Sequence, residues 1–132
     1  MSMQIAHAAL WTADLERSRA FYERYFGARA GERYRSARRR GFASYFLTFP
    51  NGECRLELMT VPELSAGIRS AATGWAHLAI TVGTRGDVDA LTARMDHDGV
   101  RIVSRPRETG DGYYESVVED PDGNEIEITS EG

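Results

Sequence analysis

The spacing of apolar residues changes twice along the chain, in the same order each time. Residues 3–10 predict a short strand. Leu15, Phe21, Tyr22, Tyr25 and Phe26 then fall near helical spacing, with Thr12 or Asp14 as the N-cap and Gly27 as the stop. From Ala28 to Val61 the period drops to two, predicting strands at about 30–36, 42–49 and 53–61 that are broken by Gly41 and by Pro50-Asn51-Gly52. The order recurs with a strand at about 75–82, a helix at about 87–98 carrying Val88, Leu91 and Met95 on one face and ending at Gly99, and strands near 101–105, 112–119 and 124–129.

This pattern predicts an α+β fold of two tandem βαβββ units, 3–61 and 74–130, within a single domain spanning 1–132. The stretch 62–73, with Pro62, Gly67 and several small residues, reads as the connection. If each helix returns the chain to its starting edge, the three strands after it run up, down and up, and the last lies parallel to the first.

The repeat also carries chemistry. His7 and His77 stand near the start of the first strand of each unit, and Glu57 and Glu127 follow them by 50 residues each. Both Glu lie between aliphatic residues, in Leu56-Glu57-Leu58 and Ile126-Glu127-Ile128, just after Asn51-Gly52 and Asp122-Gly123. A His on a first strand thus neighbours a Glu on a last strand, and two units side by side are expected to bring both pairs to one cleft. Two imidazoles and two carboxylates suit a divalent ion, Ni²⁺, Co²⁺ or Zn²⁺ first and Mn²⁺ or Fe²⁺ next, rather than Ca²⁺ or an iron–sulfur cluster. Taken singly, each of the four also fits an ordinary place on a half-buried strand; the repeated set makes the case for a metal. His97, at the end of the second helix and without a counterpart, reads as a surface residue.

Composition narrows the setting. A net charge of −4 gives no reason to expect nucleic acid, and Arg38-Arg39-Arg40 reads as a solvated loop. The single cysteine, Cys54, forms no internal disulfide, and its strand-like surroundings predict a buried thiol. No apolar run reaches the length of a membrane span, and Met1-Ser2-Met3-Gln4 has no basic region ahead of an apolar core, so a cytoplasmic location is expected.

The run Glu119-Asp120-Pro121-Asp122-Gly123-Asn124-Glu125-Ile126-Glu127-Ile128, together with Asp14-Leu15, Arg17-Ser18 and Phe21-Tyr22, resembles the vicinal oxygen chelate superfamily. That superfamily includes glyoxalase I, the bleomycin and fosfomycin resistance proteins and extradiol dioxygenases. The resemblance covers residues 4–130 and implies a glyoxalase I-like metal set of His7, Glu57, His77 and Glu127, since the fosfomycin-type and dioxygenase branches use two His and one Glu. It further implies Glu127 as catalytic base with Glu57 as its counterpart across the metal, and proton transfer through a metal-bound enediolate of an α-hydroxy-carbonyl or thiol-adduct substrate. The alternatives it offers are a bleomycin-resistance-type binding protein, a fosfomycin-type thiol transferase and a dioxygenase-like enzyme. It also implies a homodimer that takes one His–Glu pair from each chain, as the open strand edges of two small units suggest; whether the halves pair within a chain or between chains stays open. Two positions depart from the glutathione-dependent pattern, because Trp11 and Val61 stand where an Arg and an Asn are usual. Trp11 supplies an apolar wall instead. Arg105, Arg107, Tyr113 and Tyr114 are further candidates for lining the cleft.

Overall fold

A computed structural model describes residues 1–65, 73–110 and 112–131. The chain divides into two compact units, Met1–Gly67 and Ile68–Gly132. In the first, β1 (His7–Trp11) is followed by α1 (Leu15–Phe26), β2 (Arg29–Ala30), β3 (Tyr34–Arg35), β4 (Ala43–Thr48) and β5 (Arg55–Thr60). The second contains β6 (Leu78–Gly83), α2 (Arg85–His97), β7 (Ile102–Glu108), β8 (Tyr114–Glu119) and β9 (Glu125–Ser130).

Each helix is set by its caps. Asp14 accepts a hydrogen bond from the Arg17 amide at 3.0 Å, so it, rather than Thr12, opens α1; Gly27 closes the helix at φ 66°, a left-handed conformation that suits glycine. Thr84 opens α2 in a reciprocal box with Asp87: the Asp87 amide donates to Thr84 Oγ1 at 3.1 Å, and the Thr84 amide to Asp87 Oδ2 at 2.8 Å. The Thr84 amide first, and then the Thr84 hydroxyl, which donates to the same Oδ2 at 3.0 Å, hold the Asp87 carboxyl below its usual value.

In unit 1 the sheet order is β1-β5-β4-β2, with β3 also paired to β4; in unit 2 it is β6-β9-β8-β7. The pairs β1–β5 and β6–β9 are parallel and their neighbours antiparallel, which is the up, down, up return expected from the βαβββ order. One face of each sheet takes its own helix. Leu15, Phe21, Tyr22 and Phe26 of α1 are buried, as are Tyr45, Leu47, Leu56 and Leu58 of the sheet; in unit 2, Val88 and Met95 are buried with Val118, Ile126 and Ile128. Burying each large apolar side chain contributes roughly 1.5–3 kcal/mol before the ordering entropy is counted.

Several boundaries move. The strand expected at 30–36 is two short pieces separated by 31–33, and β1 begins at His7, the first six residues being exposed. Cys54 is exposed rather than buried, because it sits in the bend ahead of β5 and never enters the ladder. Arg38, Arg39 and Arg40 are exposed in the loop before β4, and His97 is exposed at the end of α2. Residues 66–72 of the connection lie outside the described residues.

Candidate metal centre

Strand alternation aims the two Glu away from the helices. In unit 1, Leu56 and Leu58 are buried with α1, so Glu57 points to the opposite face; there it is in register with Ala9 of β1 and Phe46 of β4. His7 is two residues before Ala9 on the same face, and its Nε2 is 3.7 Å from Glu57 Oε1. In unit 2, Ile126 and Ile128 are buried with α2, Glu127 is in register with Ala79 and Val117, and His77 Nε2 is 3.2 Å from Glu127 Oε1. The parallel pairing explains both contacts: Ala9 and Ala79, the register partners of Glu57 and Glu127, lie two residues after His7 and His77, so each His is a diagonal neighbour of its Glu on the same face.

These spacings suit a metal. Two donors each about 2.1 Å from one divalent ion in adjacent positions stand about 3 Å apart, so each pair is near the separation of two neighbouring ligands. Side-chain exposures of 39% and 41% for the imidazoles, against 16% and 22% for the carboxylates, leave the ring nitrogens open to a ligand while the carboxylates are held closer in. Among the described residues no group of three or more His, Cys, Asp or Glu is close enough to hold an ion.

Around the first pair the face is aromatic and cationic. The His7 ring meets Phe46 edge-on at 5.2 Å between centroids, and the Arg55 guanidinium lies 4.3 Å from the centre of the Phe46 ring. Trp11 shares the His7 side of β1 and is exposed. Phe46 and Arg55 escaped sequence reasoning. Alternation places them on one side of their strands, but only the pairing of β1, β5 and β4 says that this is the side of His7.

Two of the cleft-lining expectations need correction. Arg105 pairs with Asp96 of α2 at 3.1 Å, and the Tyr114 hydroxyl donates to Asp89 of α2 while Arg85 lies 5.0 Å over its ring. Both therefore face the helix, on the side of the sheet away from Glu127. The bond to Asp89 also raises the Tyr114 phenol above its ordinary value. For Arg105 the reason lies in the irregular edge strand β7. Its register with β8 slips between Ile102 and Ser104 and again between Ser104 and Arg107, around Pro106, so simple alternation along it fails. Arg107 is in register with Glu115 and donates to Ser104 Oγ at 2.8 Å, and Tyr113 is exposed in the turn before β8.

A family model described as the Glyoxalase/Bleomycin resistance protein/Dioxygenase superfamily matches residues 4–128. The chain belongs to that superfamily. Among its relatives, the uncharacterized protein YqjT of Bacillus subtilis (strain 168) is 26% identical over 129 residues, covering 94% of this chain and 96% of the other. A glyoxylase/bleomycin resistance protein/dioxygenase domain from Frankia sp. EAN1pec superposes with a TM-score of 0.83 over the full length of both chains, at 18% identity. The trypanothione-dependent glyoxalase I of Leishmania major gives 0.76 at 25% identity, covering 98% of this chain and 87% of that one. Glyoxalase I from Zea mays gives 0.78 at 24% identity, with 98% of this chain covering 45% of that protein. The superfamily's fold is thus present throughout. Among the described residues, no helix is long and apolar enough to cross a membrane.

Proposed function

We propose that this superfamily member is a divalent-metal-dependent, glyoxalase I-like lyase or isomerase acting on an α-hydroxy-carbonyl compound or a thiol adduct of one. The observation that carries this reading is the occurrence, in both units, of an imidazole Nε2 and a carboxylate Oε1 at near-adjacent-ligand separation on the helix-free face. His7, Glu57, His77 and Glu127 would hold the ion, Ni²⁺, Co²⁺ or Zn²⁺ in preference to Mn²⁺ or Fe²⁺. When bound, the metal supplies Lewis acidity toward paired substrate oxygens. Glu127 receives the proton from the carbon beside the carbonyl and returns it to the neighbouring carbon, with Glu57 its counterpart. The apolar strand residues on either side hold each carboxylate in place without competing for its oxygens.

A complete set of four donors takes both pairs, either within one chain or, in the homodimer that the superfamily resemblance implies, one pair from each of two chains. Trp11, and Val61, which is buried, stand where glutathione contacts are usual, so the substrate is expected to differ from the methylglyoxal–glutathione hemithioacetal. The deciding experiment measures metal content and thermal stability with added Ni²⁺, Co²⁺ or Zn²⁺. Binding at a free metal concentration a hundredfold above Kd stabilises by about 2.7 kcal/mol. A protein that takes up no stoichiometric metal and gains no stability is instead a ligand-sequestering binding protein of the bleomycin-resistance kind.

A further inference from the structure

We infer that the loop before β4 builds a subsite for a carboxylic acid with a planar apolar body, with Arg39 as the anion-binding residue. This deepens the reading above and rests on its assignment of the His7–Glu57 face as the substrate side.

The register across unit 1 places Trp11, Met59, Ser44 and Tyr34 in one row on that face, two residues along the strands from the row of Ala9, Glu57 and Phe46. The two rows are therefore about 7 Å apart. In and beside the outer row, Trp11 meets Phe42 edge-on at 6.3 Å and Phe42 meets Tyr34 at 6.2 Å, while Trp11 and Tyr34 keep 42% and 56% of their surface exposed. Exposed aromatics grouped in this way beside a candidate centre offer an apolar contact.

A cation is fixed over this shelf. The Arg39 guanidinium lies 5.7 Å from the Trp11 ring centre. Its loop is constrained: Ser36 Oγ accepts from the amides of Arg38 at 3.2 Å and Arg39 at 2.9 Å, the Ser36 amide donates to Phe42 O, and the Phe42 amide donates to Arg39 O. Gly41 turns the loop at φ 79° against Pro62, where no Cβ fits. The segment that presents Phe42 to Trp11 thus also sets Arg39 above it.

Arg39 pairs with Glu63 at 3.3 Å, but both side chains are more than half exposed. A pair of that kind is screened by water and contributes little, so a ligand carboxylate that adds ring contact displaces Glu63 at little cost. A planar guanidinium over an indole favours a planar acid that binds it with both oxygens while its body rests on the rings. The basic cluster at 38–40 thereby includes a recognition element that composition alone assigned to a solvated loop.

The test is calorimetric titration of the full-length protein with naphthalene-2-carboxylate and, separately, its carboxamide, in wild type, Arg39→Gln, Arg39→Lys and Glu63→Gln. The carboxylate is expected to bind wild type, to bind Arg39→Gln roughly tenfold or more weakly, to bind Arg39→Lys at an intermediate level and to bind Glu63→Gln a few-fold more tightly. Equal affinity of wild type and Arg39→Gln, equal affinity for acid and amide, or no binding of the acid at millimolar concentration would overturn the assignment. Nickel equivalents bound by the same preparations are measured by chelator competition. Loss of nickel binding with acid binding intact refutes the metal reading alone, and the reverse refutes the subsite alone.

Discussion

Replacing Thr92 by Val tests how α2 is tied to the sheet that holds Glu127. Thr92 and Ser116 are 2% and 0% exposed, their hydroxyl oxygens are 2.7 Å apart, and Thr92 Oγ1 also lies 2.7 Å from the Val88 carbonyl oxygen. A hydroxyl has one proton. If Thr92 gives its proton to Val88 O, the proton between the two hydroxyls belongs to Ser116, and the chain runs from Ser116 through Thr92 to Val88. Thr92→Val keeps the volume and leaves the Ser116 hydroxyl buried without its acceptor, which costs roughly 1–3 kcal/mol. Ser116→Ala removes the donor but leaves the bond from Thr92 to Val88 intact, costing about 0.5–1.5 kcal/mol. The double variant strands nothing, so its loss is expected to fall short of the two single losses added together by about 1 kcal/mol. Urea denaturation, read as a midpoint change at constant m, gives all three numbers, and thermal midpoints are expected to move by about 3–6 °C per kcal/mol. A Ser116→Ala loss as large as that of Thr92→Val, or strict additivity, would refute the assigned direction of the chain.

Glu127→Gln is expected to retain the fold and much of the metal affinity while lowering turnover by about 10²-fold or more, whereas His77→Ala loses the metal; activity and metal analysis on the same samples separate the two. With Ni²⁺-loaded protein, turnover of the methylglyoxal–glutathione hemithioacetal is expected to be weak or absent, and efficient turnover would show that Trp11 and Val61 do not govern recognition. Gly41→Ala is expected to destabilise unit 1 by about 1–3 kcal/mol, because its positive φ and the Pro62 contact both oppose a Cβ, and to weaken naphthalene-2-carboxylate binding. Asp87 is a depressed carboxyl, so its stabilising effect is present above its unfolded value near pH 4 and is lost as pH falls through the lower folded value. The stability gap between wild type and Asp87→Asn is therefore expected to hold at pH 7 and to close only in stronger acid.

The periodicities of the chain carried most of the fold. A helical stripe of Phe21, Tyr22 and Phe26 and alternation around Glu57 and Glu127 are local properties, written in which residues must avoid water, and the βαβββ order follows from them with short connections. The His–Glu pairs were legible for the same reason. A repeat names both partners, and the parallel return of each last strand makes them neighbours, as the 3.7 and 3.2 Å contacts show. Other features depended on interactions that local pattern does not encode. The side of β7 from which Arg105 projects was decided by two register slips on an edge strand, and Tyr114 was drawn to α2 by Asp89 and Arg85, distant in sequence. Cys54 lay too close to a turn for a strand-like composition to predict its burial. Phe42, Phe46 and Arg39 became part of the face beside His7 only through the alignment of β1, β5 and β4. Which strands pair, and in what register, is fixed by the packing of the whole sheet against its helix and not by any one segment.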